Sequence, residues 1–186
     1  MSIDEIAVIV LAAGQSTRFG SSKMAHSLAS GKSILETTLE QYRQVFTNTS
    51  VVVSEFSHYQ HLGVPLVLNK HAHLGMSQSI IAGIKAQTNA KAWLIALGDM
   101  PYVKATTLKK CAAQSAEELI VLPTFKHQRG NPVIFGAKFR DQGLMQLAGD
   151  VGAKSVIEDN LDSVVFVPVE DAGVVQDIDR KSDILE

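Results

Sequence analysis

Near the start of the chain, Leu11-Ala12-Ala13-Gly14-Gln15-Ser16-Thr17-Arg18-Phe19-Gly20-Ser21-Ser22-Lys23 holds the residue types needed to grip a polyphosphate. Ala12, Ala13 and Gly14 remove side-chain bulk where backbone amides can approach phosphate oxygens, and Gly14 tolerates the positive φ that such a turn often demands. Arg18 adds a forked guanidinium and Lys23 a compact ammonium, charges suited to hold a triphosphate and to neutralise a departing pyrophosphate. A plain small-residue turn with solvated Arg and Lys has the same composition. Other phosphate loops fit worse. A Walker loop ending at Gly31-Lys32-Ser33 would need glycine where His26 stands, and a dinucleotide fingerprint would need one at Ser16.

The second chemical candidate is Asp99, set between Gly98 and Met100-Pro101. An aspartate there can simply cap a turn. It can also bring in magnesium, which takes few carboxylate oxygens and fills its shell with phosphate oxygens and water. No Ser-His-Asp or Cys-His set is evident. His71 with His73, and His58 with His61, have spacings that could share a transition metal, but no third ligand accompanies them and they read as solvated loop histidines. Cys111 reads as a packing residue of a helix, and Lys126-His127-Gln128-Arg129 as a solvated turn or the rim of an anion site.

What must position the loop and the aspartate is a parallel sheet. Ile6 to Leu11 is a continuous apolar run ending in Ala12-Ala13-Gly14, the pattern of a strand buried on both faces. Ser33 and Glu36 have capping-box spacing, predicting a helix to about Phe46 with Ile34, Leu35, Leu39 and Tyr42 inward. Strands are expected at 51–53, 65–68, 93–97 and 119–122, and helices at 77–87 and from about 104 to 116. The remainder is more mixed, with strands near 133–135 and 164–167 and a helix near 137–147. Alternating strands and helices give an α/β fold, a mostly parallel sheet with helices on both faces, whose ligands sit at the carboxyl ends of the strands. Both Gly14 and Asp99 fall there.

Composition agrees with a single domain over 1–186. Hydrophobic residues make up 46% and charged residues 19%, enough apolar material for one sizeable core. A net charge of -2 offers no broad cationic face, which argues against nucleic acid or an anionic membrane as partner. One cysteine and an acidic start point to the cytoplasm, and no apolar run approaches the ~20 residues of a membrane span.

The loop from Leu11 to Gly20 with Lys23 resembles the signature of MobA-like nucleotidyltransferases, specifically molybdenum cofactor cytidylyltransferases. Gly75-Met76-Ser77-Gln78-Ser79-Ile80, Leu97-Gly98-Asp99-Met100-Pro101, Arg129-Gly130-Asn131-Pro132-Val133-Ile134-Phe135, Gly149-Asp150-Val151-Gly152-Ala153-Lys154 and Asp177-Ile178-Asp179 are similar to further family motifs in the same order. The resemblance implies a nucleotide-diphospho-sugar transferase type of fold and a reaction in which a molybdenum-bearing pterin attacks CTP, releasing pyrophosphate. It implies Lys23, Arg18 and Asp99 as catalytic residues. For the nucleotide it implies Leu11, Ala12, Ala13, Gly14, Gln15, Ser16, Lys23, Asn69, Ser77, Ser79 and Asp99, and for the acceptor Asn131, Pro132, Asp150, Gly152 and Lys154. Magnesium (Mg2+) would be held by Asp99 and Asp177, though Asp177 and Asp179 have two readings, closing the site near the metal or serving a turn. Ala13, where guanylyl enzymes tend to carry glycine, and Met76-Ser77-Gln78-Ser79 favour CTP over another nucleoside triphosphate. Lys154 stands where the family often has arginine. Molybdopterin is the implied acceptor and a molybdoenzyme a further partner. The alternatives are a non-catalytic molybdenum cofactor chaperone and transfer to another phosphorylated acceptor.

Overall fold

The computed structural model describes residues 1–14, 19 and 22–185; Gln15, Ser16, Thr17, Arg18, Gly20 and Ser21 of the expected phosphate loop lie outside them. The chain opens with β1 (Ile6–Leu11), every residue of which is buried. Its side chains alternate between the two faces of the sheet, as strand geometry requires. Val8 and Val10 join Leu35, Leu39 and Tyr42 of α1 (Ile34–Arg43) and Leu108 and Cys111 on one face. Ala7, Ile9 and Leu11 join Ile80 and Ile84, Phe139 and Val156 on the other. Helices therefore cover both faces.

The capping box of α1 forms as its spacing predicts: the Glu36 N–H donates to Ser33 Oγ at 3.2 Å, and the Ser33 N–H to Glu36 Oε2 at 2.7 Å. The helix ends at Arg43, short of Phe46, but a hydrogen-bonded turn carries the chain on to that buried ring. Then follow β2 (Thr49–Val53), β3 (Leu66–Leu68), α2 (Met76–Ala86), β4 (Ala92–Leu97) and α3 (Ala105–Ala113). β5 (Ile120–Phe125) turns through Lys126 and His127 into the two-residue β6 (Gln128–Arg129). Both turn residues have positive φ, +48° and +67°, so the solvated-turn reading of this cluster holds with a hairpin added. β7 (Val133–Gly136) completes the central part.

The sheet has eight strands, ordered β3-β2-β1-β4-β7-β5-β6, with β8 (Val164–Pro168) alongside β5. Strands β1 to β4 pair in parallel, β8 is parallel to β5, and β7 runs antiparallel between β4 and β5. The expected helix over 137–147 is a correction: it divides into α4 (Phe139–Gln142) and a 3-10 turn (Leu144–Gln146). The break falls at Gly143, whose backbone is non-helical (φ -142°, ψ -72°), and a Cβ there would stand 2.9 Å from Val156 Cγ1 of α5 (Lys154–Glu158), which packs against it. No described helix is long and apolar enough to cross a membrane.

Candidate active site

The strand order reverses direction between β1 and β4, and such a switch point opens a crevice outside the carboxyl ends of the strands. Leu11 and Leu97, the last residues of these neighbours, are register partners, and the Gly98 N–H donates to Leu11 O at 2.9 Å. The turns after β1 and β4 thus lie side by side. Gly98 allows the approach: a Cβ would meet Leu11 O at 2.9 Å and both Leu35 Cδ1 and Met24 Sδ at 3.2 Å. The buried hydroxyl of Thr38 on α1 donates to Gly98 O at 3.0 Å, fixing the turn that carries Asp99.

A third segment comes from the far end of the chain. The Ile178 N–H donates to Asp99 O at 3.0 Å, and the Ile178 side chain is buried with Phe19 and Ile34. Its neighbours Asp177 and Asp179 are left beside Asp99, so that the three residues can each offer a carboxylate oxygen with all such atoms within 4.8 Å of one another. Lys23 Nζ lies 2.6 Å from Asp99 Oδ2 and 3.2 Å from Asp179 Oδ1.

The electrostatics follow from burial. Desolvation pushes the Asp99 carboxyl above its ordinary range, and the nearby Asp177 charge adds to this, while hydrogen bonding and attraction to Lys23 work against it. Burial alone would lower the Lys23 ammonium; its contacts with Asp99 and then Asp179 outweigh this and hold it above an ordinary lysine. Among the described residues, Asp99 Oδ1 is buried with no hydrogen-bond partner. An orphaned carboxylate oxygen among clustered acids is costly in a dry site and is the donor type a hard divalent cation takes. The described residues contain no other group of three or more His, Cys, Asp or Glu placed to hold a metal. His58 pairs with Glu55 at 2.6 Å and His61 approaches Glu36 at 3.7 Å, while His71 and His73 have their ring centres 6.4 Å apart. None of these histidines belongs to the carboxylate group, although His73 lines the same cleft.

The three segments bound a cleft of about 690 Å³, whose other wall is the run from Ala72 to Met76 with Ser79. Residues 8–164 match the MobA-like NTP transferase domain. The chain belongs to that family. It is 30% identical over 119 residues to a probable molybdenum cofactor guanylyltransferase of Aquifex aeolicus, covering 63% of this chain and 57% of that protein. Bifunctional protein GlmU of Buchnera aphidicola subsp. Acyrthosiphon pisum is 27% identical over 151 residues, which are 77% of this chain and 32% of that one. The chain therefore spans about a third of the length of GlmU and little over half of the guanylyltransferase. Among solved structures, the homolog of Mycobacterium tuberculosis Rv0371c from Mycobacterium sp. strain JC1 superposes with a TM-score of 0.83 at 26% identity, over 96% of this chain and 92% of that one.

In this MobA-like chain the sequence-derived residues divide into groups. Leu11, Ala13, Gly14, Lys23, Ser79, Asp99, Asp150 and Asp177 line the cleft, joined by Asp179 and Phe19. Two details of the loop reading need correction. The Ala12 N–H is committed to Val52 O at 2.9 Å and its side chain is in the core, so it offers no amide to a phosphate. Gly14 does not have positive φ. Among the described residues a Cβ there would meet nothing within 4 Å, so what a glycine provides at this position is open space in the cleft.

Some side chains hold the wall together. Ser77 is fully buried, its hydroxyl donating to Gly149 O at 2.7 Å, and Asp150 Oδ1 accepts from the Met76 N–H at 3.0 Å, capping α2. Asn69 is buried against Ser79. Asn131, Pro132, Gly152 and Lys154 are outside the lining; Lys154 is exposed on α5, 3.6 Å from Glu158 Oε1. Sequence reasoning missed Asp171, which is buried and accepts from the Lys104 N–H, the Thr107 hydroxyl and the Gly173 N–H, tying the last segment to the start of α3. It also missed the Lys23 to Asp99 ion pair. The acid-apolar-acid alternation of Asp177-Ile178-Asp179 was the signal available for the second and third carboxylates.

Proposed function

We propose that this chain is a nucleotidyltransferase that transfers CMP from CTP to the terminal phosphate of a molybdopterin-type molybdenum cofactor, releasing pyrophosphate. The observation that carries the reading is the meeting of the Gly14 turn, Lys23 and the Asp99, Asp177 and Asp179 carboxylates in one cleft at the switch point. In this reading an oxygen of the acceptor phosphate bonds to the α-phosphorus of CTP, the bond from that phosphorus to the α,β-bridging oxygen breaks, and pyrophosphate departs. The acceptor is already anionic, so no protein nucleophile is required.

Magnesium fits the donor set: Asp99, through its unpartnered Oδ1, and Asp177 would hold it, with Asp179 adjacent. When bound, the ion supplies charge stabilisation at the phosphates. Lys23 and Arg18 then neutralise the leaving pyrophosphate. Leu11, Ala13 and Gly14 form the floor under the nucleotide, and the Ala72 to Met76 run with Ser79 its facing wall. Among the acceptor residues, Asp150 has the strongest support because it lines the same cleft. Asn131, Pro132, Gly152 and Lys154 are assigned to the acceptor by family resemblance alone.

The name of the Aquifex relative supports a molybdenum cofactor acceptor but carries guanine. Ala13 at the cleft wall favours the smaller base; one added methyl discriminates by ~1 to 3 kcal/mol. We place the reaction in the cytoplasm, with a molybdoenzyme as recipient of the product. The test is pyrophosphate release with each of CTP, GTP, ATP and UTP against molybdenum-loaded molybdopterin and a sugar phosphate. CTP with the pterin should turn over fastest. A preference for GTP reverses the base assignment, sugar phosphate turnover reverses the acceptor, and pterin binding without any pyrophosphate leaves a chaperone.

A further inference from the structure

Asn69 follows β3 and is buried, and unlike Ser79 it is not among the residues that line the cleft. It has two partners. The His71 N–H donates to Asn69 Oδ1 at 2.9 Å, and Asn69 Nδ2 donates to Ser79 Oγ at 2.9 Å. The direction of the amide is forced by the first of these. A peptide N–H can only donate, so the end facing it is the oxygen, and the NH2 must turn to Ser79.

This decides the polarity of the serine. Ser79 Oγ is the acceptor of its bond with Asn69, and its own O–H has no acceptor among the described residues. The residue lines the cleft beside Gly75 and Met76. A hydroxyl that accepts on one side presents its proton on the other. If Asn69 could rotate its amide, Ser79 could serve either polarity; the His71 N–H prevents it.

We infer that Asn69 is a positioning residue that fixes Ser79 as a hydrogen-bond donor into the cleft, so that the nucleotide atom meeting Ser79 is an acceptor: a phosphate oxygen, or a carbonyl oxygen or ring nitrogen of the base. This rests on the reading of the cleft as a nucleotide site. Asn69 touches no ligand in this arrangement and acts only through Ser79. An aspartate at position 69 would invert it: with one oxygen still taking the His71 N–H, the other draws the Ser79 proton and turns a lone pair toward the ligand.

The experiment is a double-mutant cycle on binding of magnesium CTP, GTP, ATP and UTP at pH 8, using Asn69→Asp, Asn69→Ala, Ser79→Ala and both double variants, with urea midpoints recorded for each. For the nucleotide that wild type binds tightest, Ser79→Ala should weaken binding by about threefold to tenfold, the worth of one hydrogen bond. Asn69→Asp should weaken it at least as much, Asn69→Ala less, and neither should have a further effect once Ser79 is alanine. An equal loss with all four nucleotides assigns the acceptor atom to the triphosphate, and a loss confined to one assigns it to the base. Equal effects of the Asn69 substitutions with and without Ser79 would overturn the inference, as would unchanged affinity in Ser79→Ala. Should Asn69→Asp fail to fold, the alanine cycle decides by the same criterion. Wild type that binds none of the four defeats the nucleotide reading and this inference together; binding without coupling defeats the inference alone.

Discussion

Lys23→Met keeps the length of the side chain and removes the ammonium that Asp99 and Asp179 share. The Lys23 and Asp99 side chains are only 11% and 15% exposed, so their contact lies between a screened surface pair, worth ~0 to 1 kcal/mol, and a buried pair whose breaking costs about 3 to 5 kcal/mol. Asp179 is 41% exposed, and its share is small. The variant should lose roughly 2 to 3 kcal/mol in EDTA, since the clustered carboxylates are left facing each other. Magnesium should restore much of this. An ion at a hundred times its dissociation constant adds about 2.7 kcal/mol, and it binds the variant more tightly because no ammonium charge stands beside the same carboxylates to repel it. Urea unfolding of wild type and variant, in EDTA and in saturating magnesium, measures both effects. A variant as stable as wild type in EDTA, or an equal magnesium gain in the two proteins, would show that Lys23 does not hold these carboxylates.

Gly75→Ala should destabilise by about 2 to 5 kcal/mol, because φ is +108° and the new Cβ would stand 2.5 Å from Gly149 O; little change in the urea midpoint would contradict this. Ser33→Ala should cost about 1 kcal/mol at neutral pH through loss of the cap. Bonds from the Ser33 hydroxyl and then its N–H hold the Glu36 carboxyl below its ordinary 4.5, so that share of stability is present above the unfolded value and fades as pH falls through the lower folded one. The gap between wild type and variant should accordingly narrow in acid unfolding curves. Burial pushes the Cys111 thiol up to about 12, so iodoacetamide at pH 8 should leave the native protein unmodified and alkylate it once unfolded, as mass spectrometry would show.

Local signals carried much of the fold. An unbroken apolar run is enough to identify β1, and the Ser33 and Glu36 box places the start of α1 to the residue. The adjacency of Gly14 and Asp99 was also legible, since each follows a buried strand and ligands gather at such ends. Features that depend on distant partners were not. Nothing near Asp171 announces that it will cap α3, and the amide of Ala12 looks available until β2 lies beside it and Val52 accepts its proton. Gly143 within a helical pattern is a weak breaker by itself; its packing against Val156, thirteen positions on, shows only in the fold. Lys126 and His127 occupy the left-handed region where hairpin turns usually carry Asn, Asp or Gly, so the hairpin they close could not be read from composition.

In the proposed reaction the carboxylates of Asp99, Asp177 and Asp179 and the turn at Gly14 together cage a metal triphosphate. The most direct measurement of that cage is paramagnetic broadening of backbone amide signals on adding manganese with CTP, in wild type and in Asp99→Asn. Broadening should centre on Gly14, Lys23, Asp99 and Ile178 in wild type and be lost from them in the variant. Broadening centred elsewhere, or undiminished by Asp99→Asn, would contradict the account.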